Sequence, residues 1–196
     1  IYSTTAPVTD DIGIADNDID GFLKNLLASI NREAAQNSND EAKSRPVKME
    51  IDLIEVPVSE IPDIEEFRTI IKKCLIEAET TEAKKAEEFF TNAQRVLGEE
   101  TVKILSISDE GTKGAGGEFK KGGKFYTLAV SKGRTDKANL YSAGSFGIGK
   151  NAAFAGSQLR TVFYSSKYDE GFYCMGKSVL TSWSNNDGDN MGHKIF

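Results

Sequence analysis

Three short stretches of this chain carry residue types that can do chemistry. The first is "AGSFGIGKNAAFAGS", residues 143 to 157, with Gly144, Gly149 and Lys150 at the spacing of G-x-x-x-x-G-K-[ST]. That pattern cradles phosphates, and its last residue offers magnesium a hydroxyl. Here Asn151 stands in that place. A phosphate loop also follows a buried strand, whereas "KGRTDKANLYSA" just before it is polar. Too few residues follow Lys150 for the parallel βαβ units of such a fold, and no later apolar strand ends in an Asp that would hold magnesium. A Walker-type lysine loop is therefore rejected. The glycines keep a related use: clustered just before a helix, they let backbone N–H groups converge on an anion, and the helix dipole adds to the pull.

The second stretch is "EAAQNSND", with Glu33, Asn37 and Asp40. Glu33 and Asn37 are four apart and share one helical face. The third is the end of "TVKILSIS", where an apolar run passes into Asp109, Glu110 and Gly111.

The elements that must position these residues follow from periodicity. Residues 20 to 42 read as an amphipathic helix with Asp20 as cap, since Phe22, Leu23, Leu26, Leu27, Ile30 and Ala34 recur at helical spacing. Asn37, Ser38 and Asn39 are poor helix formers, so those turns are polar for a reason other than propensity. "VKMEIDLIEV", 47 to 56, alternates apolar and charged and predicts a half-buried strand. "SEIPDIEEFRTIIKKCLIEAE" returns to helical spacing, with Ser59 as cap and Pro62 in the first turn. A further helix runs from Thr81 to Leu97 and stops at Gly98. This pair carries no chemical signature and reads as a scaffold or interface insertion.

Residues 101 to 108 predict a strand leading into a glycine-rich loop that begins "DEGTKGAGGEFKKGGK". "FYTLAVS" predicts a short strand, "GIGKNAAFAGS" a turn feeding a short helix, and "QLRTVFYSS" and "GFYCMGKSVLTSW" two neighbouring strands. The tail "NNDGDNMGHKIF" reads as turns. The order of elements is an α+β pattern, a sheet with helices on one face.

Bulk properties narrow the class. The 196 residues fit one domain, and 39% apolar with 28% charged residues suits a globular one. No apolar run approaches the roughly 20 residues of a membrane helix, and the polar, acidic start shows no signal peptide. A net charge of −6 disfavours indiscriminate nucleic-acid binding, although Lys and Arg gather between Lys113 and Lys137. Cys74 and Cys174 lack metal-ligand spacing and read as buried or free thiols of a reduced, cytoplasmic protein. The single His193 reads as a surface residue.

Taken in order, the three stretches resemble the GHKL ATPases: gyrase B subunits, ninety-kilodalton heat-shock chaperones, sensor histidine kinases and MutL-type repair proteins. "REAAQNSNDEA" is similar to their N-box, Asp109–Gly111 to their adenine motif, and "GSFGIGKNAAF" to the lid end of the chaperone branch. The resemblance spans residues 20 to about 166. It implies a Bergerat fold, a mixed and mostly antiparallel sheet under helices. Residues 1–196 would be one ATP-binding domain, with the helical insertion at about 59–98 and an ATP lid at about 112–149.

The resemblance also implies roles. Asn37 would offer magnesium an amide oxygen, and Glu33 would orient or deprotonate the attacking water. Asp40 would hydrogen-bond behind them. Asp109 would accept from the adenine amino group, and Gly111 would let backbone pass close to the base. The family pattern D-x-G-x-G becomes D-E-G-T-K-G here, so the second glycine arrives one place late, at Gly114. Gly144, Ser145, Phe146, Gly147, Ile148, Gly149 and Lys150 would close over the triphosphate. A late Gly-Thr pair, usual in the family, is missing from "GFYCMGKSVLTSW".

The implied activity is binding and magnesium-dependent hydrolysis of ATP to ADP. Lid closure would drive dimerisation or partner engagement, without a membrane, and downstream domains would bring any nucleic-acid contact. Two alternatives stay open: a nucleotide-dependent interaction module with little turnover, and a kinase. Against the kinase, Glu33 stands where that branch usually carries Asn.

Overall fold

The computed structural model describes residues 4–7, 25–116, 123–129, 150–169, 171–184 and 190–196. The chain is α+β. Its elements are β1 (Thr4–Pro7), α1 (Leu26–Asp40), β2 (Lys48–Pro57), a 3-10 turn (Val58–Glu60), α2 (Ile64–Thr80), α3 (Lys84–Leu97), β3 (Thr101–Glu110), α4 (Lys124–Ala129), α5 (Lys150–Gly156), β4 (Thr161–Tyr168), β5 (Gly171–Ser184) and β6 (Asn190–Ile195).

Two antiparallel sheets take the place of the single sheet expected. One has the order β1-β6-β5-β4, and the other is a ribbon of β2 and β3 alone. α2 and α3 connect the two ribbon strands. They are nevertheless the centre of the core. Their apolar spacing buries Phe67, Ile70, Ile71 and Cys74 on α2 and Phe90, Ala93, Val96 and Leu97 on α3. These side chains pack with Leu180 and Trp183 of β5, Met191 of β6 and Phe196. The Phe67 ring meets Phe196 edge-on at 5.1 Å. Each large apolar side chain so buried stabilises the fold by about 1.5–3 kcal/mol.

α2 begins later than its sequence suggests. Ser59 falls in the 3-10 turn and caps no α-helix, and the N-cap is Asp63, at φ 50°. Pro62 is the cause. A residue before proline is pushed out of the helical region, and Ile61 is extended at φ −64°, ψ 124°. α3 ends at Gly98 as expected. Asp20, the predicted cap of the first helix, lies outside the described residues, and Leu27, placed on its apolar face, is largely exposed.

Within the tail, which the sequence reads as turns, Asn190–Ile195 form a strand. β6 lies between β1 and β5 and draws backbone partners from both: Ala6 and Val179 both pair with His193. Pairing on two sides overrides the weak strand propensity of "NMGHKI". It also buries His193, which the sequence had placed at the surface. Neighbouring Lys194 is fully buried. Its ammonium pairs with Glu66 of α2, has Asp63 at 3.7 Å, and lies 5.3 Å from the centre of the Phe196 ring.

"FYTLAVS" enters a helix. In α4, Phe125 and Ala129 stand one turn apart and both are buried, the mark of period 3.6. Phe125 packs on Tyr173 of β5, ring centres 5.3 Å apart, and Tyr173 stacks on Tyr168 of β4.

The ribbon is more exposed than its alternation implies. Ile51 faces Ile107 and Leu53 faces Leu105 across the two strands. These four residues share one face, yet Leu53 remains 68% exposed and Ile51 43%.

Candidate functional site

The candidate site is built around the C-terminal half of α1. Glu33 and Asn37 sit one turn apart on it, both half-buried, and Asp40 is the exposed last residue of the helix. Burial pushes the Glu33 carboxyl above the usual carboxylate range. That shift moves a carboxylate toward the range of a general base working near neutral pH.

β3 carries Asp109 to the same helix. Ser38 Oγ donates to Asp109 Oδ2 at 2.6 Å, and Thr112 Oγ1 donates to Asp109 Oδ1 at 2.9 Å. Ser38 also lies 2.9 Å from the Ala34 carbonyl, one turn back. The helix motif and the strand-end motif, separated by 71 positions in the chain, therefore meet through a side-chain hydrogen bond.

The turn after β3 is fixed to the segment that leaves α1. The carbonyl of Gly111, at φ 84°, accepts N–H bonds from Lys43 at 2.7 Å and Ser44 at 3.0 Å. Thr112 forms a β-bridge with Ala42, and Lys113 N–H donates to the Glu41 carbonyl at 2.9 Å. A glycine serves at 111 because a left-handed residue is needed there and Ser44 Oγ lies 3.1 Å from where a Cβ would stand. The loop continues against β4. Gly114, at φ 67°, abuts the Lys167 carbonyl, and Ala115 N–H donates to Ser166 Oγ at 2.7 Å. Residues 112 to 116, assigned to a mobile lid from sequence, are thus held from both sides. Two exposed ion pairs, Lys43 with Asp169 and Lys124 with Glu41, both under 3 Å, border this junction.

The third motif reaches α1 through its helix. Within "GIGKNAAFAGS" the expected short helix is α5, which ends at Gly156, where a Cβ would lie 2.9 Å from Ile30 Cδ1 of α1. Gly144, Ser145, Phe146, Gly147, Ile148 and Gly149 lie outside the described residues. Lys150 begins α5, and its side chain is outside them too.

A cavity of about 630 Å³ opens between α1 and β2, lined by Ala35, Ser38, Asn39, Arg45, Pro46, Val47 and Met49. At 100° per residue this is the side of α1 away from Glu33. Glu33, Asn37 and Asp40 do not line it. Met49 pairs with Asp109 across the ribbon, so the Asp109 end of β3 lies beside the cavity, on the Ser38 side of α1 and away from Glu33.

Ser38 and Thr112 were missed from sequence. Each directly follows a selected residue, Asn37 or Gly111, and each is a hydroxyl in a run of otherwise explained positions. Nothing in spacing alone says that both reach the same carboxylate.

Among the described residues no helix is long and apolar enough to cross a membrane, and no three His, Cys, Asp or Glu side chains gather as a metal site. Comparison with protein-family models, with curated proteins and with solved structures finds no match to this chain.

Proposed function

We propose that this chain is a single GHKL-type module of Bergerat architecture that binds ATP with magnesium and hydrolyses it. The observation that carries the reading is the Ser38–Asp109 hydrogen bond, which brings the N-box helix and the adenine-motif strand end into contact. The packing of α5 on Ile30 adds the helix of the third motif to the same support.

In this reading Asp109 accepts a hydrogen bond from the adenine amino group, because an ionised carboxylate only accepts. Glu33, with its proton affinity raised by burial, orients or deprotonates the attacking water. Gly144 to Gly149 and Lys150 close on the triphosphate through backbone amides and one charge. Magnesium would be held by the nucleotide's phosphates and the amide of Asn37, half-buried on α1. Magnesium dehydrates reluctantly and is commonly held by few protein ligands with phosphates. It would supply charge neutralisation at the transferring phosphoryl group. Closure of the lid over bound nucleotide would then engage a second copy or downstream domains.

The exposed Ile51, Leu53 and Leu105 favour a second reading, in which nucleotide binding mainly controls partner engagement and turnover is slight. A magnesium–ATP titration of the full chain, with phosphate release followed in parallel, separates them. Binding lost in Asp109→Ala, and release lost with binding kept in Glu33→Ala, is the expected pair. Binding without release supports the second reading. Phosphate transferred to protein supports a kinase, and tight ATP binding by Asp109→Ala ends the adenine assignment.

A further inference from the structure

We infer that Ser38 and Thr112 are positioning residues that hold the Asp109 carboxylate in one orientation and thereby set base selectivity. The inference rests on the nucleotide reading above and names two residues that reading does not assign. Each carboxylate oxygen has two acceptor sites. Ser38 takes one on Oδ2 and Thr112 takes one on Oδ1. What remains is a carboxylate aimed by two donors from different elements, with acceptor sites left over for a ligand.

The two donors are themselves fixed. Ser38 is buried on α1, with the Ala34 carbonyl as a second neighbour within hydrogen-bond range. Its single proton serves one of these acceptors at a time or is shared between them. Thr112 is tied to the exit of α1 by its bridge to Ala42. Both donors therefore belong to one junction, and exposed Asp109 turns only by breaking a charge-assisted bond.

Selectivity follows from polarity. An aimed, acceptor-only carboxylate welcomes a ligand N–H₂ and repels a ligand carbonyl at the same place. Adenine presents the first there and guanine the second. With the hydroxyls removed, the carboxylate is free to rotate away, and the penalty against guanine falls. Adenine loses orientation but keeps its acceptor.

The test measures ATP and GTP affinity by titration of the full chain carrying Ser38→Ala, Thr112→Val, both changes, or the conservative Thr112→Ser. The GTP-to-ATP ratio of dissociation constants should fall about tenfold in the double variant, the scale of a hydrogen bond to a charged group, and recover in Thr112→Ser. A double-mutant cycle between Ser38→Ala and Asp109→Asn, read by urea unfolding without nucleotide, should show coupling of at least about threefold in the unfolding constant. ATP binding by all folded variants with an unchanged ratio overturns the inference alone. Absent coupling removes its structural premise. A chain that binds no ATP, yet shows the coupling, removes the nucleotide reading and the selectivity role with it.

Discussion

Gly114 lies so close to Lys167 that a Cβ placed on it would stand 2.2 Å from the Lys167 carbonyl oxygen. This contact accounts for glycine at position 114, the second glycine of "DEGTKG". The loop has turned left-handed at Gly111, crossed Ala42 as a bridge at Thr112, and meets the backbone of β4 at position 114. A residue there needs both φ 67° and no side chain. Gly114→Ala should lower unfolding free energy by about 1–3 kcal/mol through backbone strain alone, with displacement of the loop from β4 in addition. Urea unfolding of the variant decides it, and wild-type stability would show that the loop is not seated on β4.

Glu33 gives a pH-dependent prediction whose sign is fixed by burial. Its carboxyl is raised in the fold, so the folded chain binds that proton more tightly than the unfolded one. The associated stability is present below the ordinary carboxylate pKa and is lost as pH rises through the higher folded value. At pH 8 ionised, half-buried Glu33 is a slight liability. Glu33→Gln should then be more stable than the native chain by about a few tenths of a kcal/mol, the small size reflecting its partial exposure. The advantage should vanish near pH 4. Phosphate release should fall about 10²-fold or more in the same variant. A variant both less stable at pH 8 and fully active would contradict the environment and the role together.

The two thiols should separate in reactivity. Cys74 is buried in the core between α2 and β5, and burial pushes its thiol up to about 12. It stays neutral through the working range, and a neutral thiol is a poor nucleophile. Cys174 is exposed on β5. A disulfide reagent at pH 8 should therefore titrate one thiol quickly and the second only after denaturant is added. Two fast thiols in the native chain would place Cys74 outside the core.

The buried ammonium of Lys194 should matter more than the exposed ion pairs. Glu66 satisfies it, with Asp63 close by, and both carboxylates reach it from the start of α2. Removing one partner of a buried charge leaves a desolvated ion. Glu66→Gln should cost about 1.5–3 kcal/mol, whereas Lys43→Ala, which breaks an exposed pair with Asp169, should cost under about 1 kcal/mol. Thermal or urea unfolding of the two variants side by side makes the comparison. Equal costs would mean that the Lys194 charge finds solvent.

Local pattern was enough for elements whose information is local. The helical spacing of Phe67, Ile71, Phe90 and Ala93 specifies α2 and α3, and the alternation of Met49, Ile51 and Leu53 specifies β2, because side-chain direction repeats with backbone geometry whatever the neighbours are. The same locality explains the errors. "NMGHKI" becomes a strand through partners on β1 and β5, drawn from opposite ends of the chain, and His193 is buried as a consequence. The ribbon shows its apolar face because no described element covers Leu53 and Leu105, which alternation within a strand does not report.

For the site, residue type and order by themselves placed Glu33 and Asn37 on one helical face and Asp109 at a strand end. Only the tertiary structure determined that α1 is rotated so that Ser38, and not Asn37, touches Asp109. Rotation of a helix about its axis, and the meeting of hydroxyls with a carboxylate 71 positions away, depend on packing between distant segments. That packing is a collective property of the core, which no single stretch of sequence contains.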